Sequence, residues 1–390
     1  MKRFISNSLV QLLIVIVAAA TCYTRLPQDV VRFFLTISVF LRETLVFVLP
    51  FLLFSFVAVA LSAIPKEGMT FVFGLLALIF SSNLFNIMLS GCIGFCTLSG
   101  IQQQGHAIPT SSVSIAPLLE WHLPHLIGTM PSLIIGVIVG IANALHPNKY
   151  VSATIHFMRN SVMAFMKRCF IPLLPAFVGG FLLKLFSEGR MVDFVETNTW
   201  PCFVMCGALW LYLTLWLLSA ASFDIKRAME IFKTTFPAIV TAFSTMSSAA
   251  ALPLSLEAAR KNTQDKVLAD AVMPLTLNFH MVGDTILVPI MAMMVLLVFH
   301  HPLPTVSAFF LFGVFFVLNK FAGGGVPSGT IIVTVPVMEK YLGFDDTMTA
   351  FIIALYGVID PIATSGNVAA NNFFVILFQR IRELFQRRTL

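Results

Sequence analysis

The stretch Asn319-Lys-Phe-Ala-Gly-Gly-Gly-Val-Pro-Ser-Gly-Thr330 decides how this chain folds. Three consecutive glycines, a proline and a fourth glycine cannot extend a helix, because glycine costs backbone entropy and proline lacks the N–H. Apolar segments flank it, Pro304–Leu318 before and Ile331–Met338 after, each about half as long as a membrane span. Irregular backbone is tolerated at membrane depth only where protein buries it or where it lines a wet cavity. The stretch therefore predicts a re-entrant hairpin with its tip at a binding site; the plainer alternative is a loop between two short surface helices.

Composition sets the same frame. The chain has 390 residues, of which 58% are hydrophobic and 11% charged, with a mean hydropathy of +0.92. Runs of about 20 apolar residues recur, as in a polytopic helical membrane protein and unlike a soluble domain. The formal net charge of +6 then speaks to topology rather than to nucleic acid, since Lys and Arg collect in cytoplasmic loops. The six cysteines are Cys22, Cys92, Cys96, Cys169, Cys202 and Cys206. Two pairs sit four apart inside apolar helices, where packing is the default use, and no further His or Asp nearby suggests a metal. The apolar run after Met1-Lys2-Arg3, ending in Ala18-Ala19-Ala20 and Cys22, reads as an uncleaved first span, with a cleaved signal peptide as the alternative.

Spans are expected at roughly 8–24, 33–63, 70–99, 116–145, 170–187, 200–222, 267–299 and 347–378. The flanks alternate in charge. Lys2 and Arg3, then Lys66, Lys149, Arg159, Lys167 and Arg168 are basic, while Glu188, Arg190, Asp193 and Glu196 make a net acidic connection. With Asp224-Ile-Lys226-Arg227 and a tail holding Arg380, Arg382, Arg387 and Arg388, eight spans with both termini cytoplasmic satisfy the positive-inside rule.

Phe236–Leu256 is apolar too, but basic residues bracket it: Lys226, Arg227 and Lys233 before, Arg260, Lys261 and Lys266 after. A segment with both ends on one side cannot cross. Its middle, Ala242-Phe-Ser244-Thr245-Met-Ser247-Ser248-Ala-Ala-Ala-Leu-Pro253, predicts a second re-entrant hairpin, opening from the cytoplasm. The Gly323–Gly329 hairpin, bordered by His300, His301, Glu339, Asp345 and Asp346, opens from outside. Two inverted hairpins, each followed by a span, make an inverted repeat with tips near the midplane, as secondary transporters have. Both following spans are expected to be broken, the seventh at Asn278-Phe-His280-Met-Val-Gly283-Asp284-Thr285 and the eighth at Asp360-Pro361-Ile-Ala-Thr364-Ser365-Gly366-Asn367-Val-Ala-Ala-Asn371-Asn372. Intramembrane Asp costs about 3 kcal/mol on insertion scales, so Asp284 and Asp360 should face protein or water and have partners.

This order of a serine hairpin, a broken Met-x-Gly helix, a Gly-Val-Pro hairpin and an Asp/Asn-rich last helix resembles the dicarboxylate/amino acid:cation symporters, the glutamate transporter family, over roughly Lys226 to Asn372. The resemblance implies an all-α elevator fold of eight transmembrane helices plus two inverted re-entrant hairpins, assembled as a homotrimer. It implies a scaffold from 1–69 and 100–190, a moving transport domain from 70–99 and 191–378, and a basic cytoplasmic tail at 379–390. It further implies that Ser247 and Ser248, in Thr245-Met246-Ser247-Ser248, hold the substrate carboxylate; a helix N-terminus there offers N–H groups to an anion. Gly325, Val326 and Pro327 match the lid tip, and Asp360 matches the acid that binds the α-ammonium. Thr364 and Asn367 match polar contacts on the same face, at i+4 and i+7 from Asp360. An acid for the ammonium and N–H groups for the carboxylate specify an amino acid.

The departures narrow it. Where members that carry acidic substrates have an arginine, this chain has Ala363, and without that cation a side-chain carboxylate would be buried unpaired. The family's hydroxyl near the substrate side chain falls on Asp284, which would repel acids and favour a small hydroxylic or cationic side chain. The family's Asn-Met-Asp-Gly-Thr reads His280-Met281-Val282-Gly283-Asp284, so a cation-binding acid becomes Val282. A second becomes Asn371. Residues expected near a coupling ion, Na+ or H+, are Asn278, His280, Asn367 and Asn371, with Ser81 and Ser82 as third-span hydroxyls; a one-residue slip would bring Asp284 there too. Lys320, five residues before Gly325, is a candidate tethered cation in place of a lid-bound sodium ion, the alternative being that it snorkels to the surface. His280 and Asp284, four apart, are a candidate proton-titrating pair. No cofactor beyond the ion is implied. The reading is a cation-coupled importer of a neutral amino acid in a bacterial inner membrane. Alternatives are an obligate amino acid exchanger, a dicarboxylate carrier, an anion channel or, remotely, an intramembrane aspartyl protease, whose Gly-x-Gly-Asp and Tyr-Asp signatures are missing.

Overall fold

The computed structural model describes residues 8–62, 69–103, 115–119, 121, 123, 124, 127–323 and 329–388. Among them all regular structure is helical. In chain order the helices are α1 (Ser8–Cys22), α2 (Gln28–Ser62), α3 (Met69–Gln103), α4 (Thr129–Leu145), α5 (Lys149–Phe165), α6 (Ile171–Ser187) and α7 (Arg190–Ala220). There follow α8 (Ile225–Thr245), α9 (Ser248–Thr263), α10 (Lys266–Phe279), α11 (Val282–Val298), α12 (Val306–Gly323), α13 (Gly329–Leu342) and α14 (Asp346–Arg388). Among the described residues five helical runs are long and apolar enough to cross a membrane, namely α2, α3, α7, α10 together with α11, and α14, or six when the bent α5–α6 pair counts as one; α12 and the end of α4 are shorter apolar helices. The protein is an all-α polytopic membrane protein.

Several boundaries differ from expectation for identifiable reasons. The segment 116–145 is helical only from Thr129, since Pro117 and Pro124 interrupt the chain before it. The basic stretch after it is not a loop. Asn148 accepts from the N–H groups of Tyr150 and Val151 and starts α5, which runs through a π-helical turn at Met166–Phe170 into α6 with a 56° bend. The acidic connection shrinks to a turn, because Gly189 takes the left-handed conformation at φ +77° and α7 begins at Arg190.

Both hairpins have two helical arms packed against each other, α8 with α9 and α12 with α13. The first reverses within two residues. Met246 is left-handed at φ 50°, and Ser247 caps α9 by accepting the Ala250 N–H. Its arms extend past the apolar core 236–256 into the basic flanks because Asp224 caps α8 on the N–H groups of Lys226 and Arg227. The tip of the second hairpin, 324–328, lies outside the described residues, and with it the expectation that the two tips meet.

The seventh span is broken, as expected, between α10 and α11 at His280–Met281. The eighth is not: α14 runs 43 residues from Asp346 to Arg388 straight through Pro361. Pro361 is buried, and one missing N–H is tolerated at membrane depth where neighbouring helices pack against it. Two helix groups share most of the packing. The helices α4, α5 and α6 gather on α2 and α1 packs on α6, while α3, α7, α8, α9, α10 and α11 gather on each other and on α14. At α4, Gly136 and Gly140 let the backbone of α2 approach so closely that a Cβ at either would meet Phe54 or Ala58. Helix α11 lies at the centre: all its residues except Leu297 are buried, as a helix that is apolar on every face beyond Asp284 and Thr285 in its first turn requires.

Candidate substrate and coupling site

The break in the seventh span frees backbone groups that neighbouring side chains collect. On α3, Asn83 donates through Nδ2 to the Phe279 carbonyl at 2.7 Å and accepts the Met281 N–H through Oδ1 at 3.3 Å. On α14, Asn367 Oδ1 accepts the N–H of Gly283 at 2.8 Å and that of Asp284 at 3.4 Å. Two asparagines thus tie both sides of the break to flanking helices, as amide side chains do where a membrane helix is interrupted. The helices also meet closely. A Cβ on Gly283 would collide with the backbone carbonyl of Ala363.

Around the start of α11 lies a cluster of buried charges. Asp284 is 1% exposed and Lys320, on α12, is 0% exposed. Lys320 Nζ lies 3.1 Å from Asp284 Oδ2, an ion pair. The carboxylate collects three more donors: Tyr356 OH to Oδ1 at 2.6 Å, and Asn367 Nδ2 at 2.9 Å and Thr330 Oγ1 at 3.2 Å to Oδ2. The Lys320 ammonium also sits 4.8 Å from the centre of the Phe316 ring, one turn back on α12. Asp360, also buried, accepts from Thr364 Oγ1 at 2.6 Å, and the Tyr356 hydroxyl lies 3.4 Å from the same oxygen. One phenol therefore touches both aspartates. Sequence reading missed it, although Tyr356 extends the 360, 364 stripe by one turn.

His280 is placed apart from this cluster. It does not pair with Asp284: the extended backbone at His280, φ −100° and ψ 100°, ends α10 and turns the imidazole away. Its Nδ1 lies 3.0 Å from Asn371 Oδ1 and its Nε2 3.0 Å from Ser82 Oγ, with Trp216 stacked at 5.4 Å and Phe374 at 4.7 Å. Ser81 points elsewhere, bonding the Ala77 carbonyl of its own helix. Asn278 lies in the last turn of α10, its side chain outside the described part. Ser247 and Ser248 lie half-buried at the start of α9, where the first-turn N–H groups have no helical acceptor. Gly325, Val326 and Pro327 fall outside the described residues.

No group of three or more His, Cys, Asp or Glu side chains suited to a metal ion occurs among the described residues. The six cysteines are free thiols. A second cluster sits at the rim of the molecule. Arg42 of α2 reaches Glu43 at 3.2 Å, Glu339 of α13 at 3.5 Å and Asp346 at the start of α14.

A membrane protein that encloses charged side chains between a broken helix and helical hairpins belongs to the class of polytopic solute carriers. Residues 9–381 match the sodium:dicarboxylate symporter family, and the chain belongs to that family. Its members are secondary transporters of dicarboxylates or amino acids, not enzymes.

Proposed function

We propose that this carrier moves a neutral amino acid, importing it through a bacterial inner membrane by an elevator motion, with both termini cytoplasmic and three copies per assembly. The scaffold is 1–69 with 100–190, the moving part 70–99 with 191–378, and the two helix groups of the fold support that division. The observation that carries the substrate reading is the charge of the buried cluster. Its formal charges among the described residues are Asp284, Asp360 and Lys320, a net single negative charge. A substrate ammonium beside Asp360 neutralises it, with Thr364 and Asn367 on the same face and the substrate carboxylate at the N-terminus of α9 beside Ser247 and Ser248.

A dicarboxylate would add uncompensated negative charge. Ala363, buried at 0% exposure, offers it no cation, and an unpaired buried carboxylate costs several kcal/mol. Gly325, Val326 and Pro327 act as the lid. Uptake of a labelled panel into proteoliposomes tests the reading: small neutral amino acids should compete, while glutamate and aspartate at micromolar levels should not. Competition by glutamate would refute it.

For coupling, the family's sodium ion remains the first choice, with Asn278, Asn367 and Asn371 as oxygen donors. A specific observation favours the proton as alternative. The His280 imidazole lies between Ser82 and Asn371, occupying space where polar oxygens converge. Uptake driven by a pH gradient with sodium replaced by choline separates the two. Uptake that needs internal substrate, with no net uptake into empty vesicles under either ion gradient, would identify an obligate exchanger instead.

A further inference from the structure

We propose that Lys320 is a built-in monovalent cation: its ammonium fills, beside Asp284, a position that an inorganic cation would otherwise occupy, so that Lys320→Met creates a sodium site there. The inference rests on reading the α11–α14 cluster as the transport site.

Three observations carry it. Lys320 and Asp284 are both fully buried, 3.1 Å apart, so neither charge has water to fall back on and each depends on the other. The groups around the carboxylate are the hydroxyls of Thr330 and Tyr356 and the amide of Asn367. The two hydroxyls each have oxygen lone pairs to turn toward a cation once the ammonium is gone, and hard oxygen donors with a carboxylate suit a small alkali ion. Finally, Lys320 sits on α12 three residues before that helix ends at Gly323. Its charge is covalently part of the hairpin arm and cannot dissociate to either side. A cation that never leaves contributes nothing to a gradient, so this position neutralises Asp284 without consuming a coupling ion.

Removing the ammonium leaves Asp284 in need of a proton or a cation. Thermal unfolding of the purified full-length protein in sodium chloride against choline chloride, at equal ionic strength and without substrate, distinguishes them. The expected result is that sodium raises the Tm of Lys320→Met by about 3 °C or more beyond its effect on the wild type. In Lys320→Met/Asp284→Asn, where neither charge remains, the sodium effect should return to the wild-type value. Should the single variant be too weak to purify in choline, monodisperse recovery in sodium alone is the same positive result. Equal sodium effects in wild type and Lys320→Met, an undiminished effect in the double variant, or equal failure in both salts would overturn the proposal. Because no substrate is added, the outcome is independent of whether a neutral amino acid is carried; the uptake panel decides that separately.

Discussion

The two ionic clusters differ in what surrounds them. Lys320 and Asp284 are sealed between α11, α12 and α14, their side chains 0% and 1% exposed. Arg42 gathers three carboxylates at the rim, but Asp346 there is 79% exposed and Glu339 37%. Arg42 and Glu43 are themselves only 10% exposed, but water can replace Asp346 or Glu339 there, and it cannot replace either partner in the interior. A similar distance therefore has a different energetic meaning in the two places.

Asp284→Ala would give the largest effect. It leaves Lys320 buried without its counter-charge, and we expect a loss of about 3–5 kcal/mol, read as a fall in Tm in detergent; a loss under about 1 kcal/mol would erase the contrast with the rim. Asp360→Asn tests whether the second aspartate serves the substrate rather than the fold. Uptake should fall by about 100-fold or more with a smaller change in Tm, because a buried charge bound to a ligand ammonium is worth about 3 kcal/mol. Gly283→Ala places a methyl group against the Ala363 carbonyl and should destabilise by about 1–3 kcal/mol, read as a fall in Tm. Asp346→Asn is the smallest. It should cost about 1 kcal/mol or less, and the difference should vanish as salt is raised to 1 M, where charges are screened within about 3 Å.

Much of this contrast was legible in the sequence and part of it was not. The serine turn at Met246–Ser247 and the break at His280–Met281 were readable because polar and breaking residues interrupt apolar runs there. Asp284 and Asp360 stood out as intramembrane acids. The partner of Asp284 was harder to read. Lys320 lies 36 residues further on, in another hairpin, and only tertiary packing brings the two together. His280 and Asp284 looked like a helical i, i+4 pair, but the rule assumes an unbroken helix, and the break between them removes it. Asp360-Pro361 read as an interruption, since the residue before proline avoids the helical region. Burial of Asp360 and Pro361 against neighbouring helices overrode that preference. Asn83 gave a single faint signal, an amide in the middle of an apolar run, whose meaning depends on the break it serves.

The unbroken α14 has a mechanical consequence. At the usual rise per residue its 43 residues make a rod about 65 Å long, roughly twice the thickness of a bilayer's oily interior. Asp360 and Asn367 sit on one part of that rod, while Arg380, farther along, grips the Ser219 carbonyl at the end of α7. If the rod stays rigid, any travel of the aspartate is copied at its far end, so a dye fixed near Arg382 would act as a pointer to the motion of a residue buried some 30 Å away.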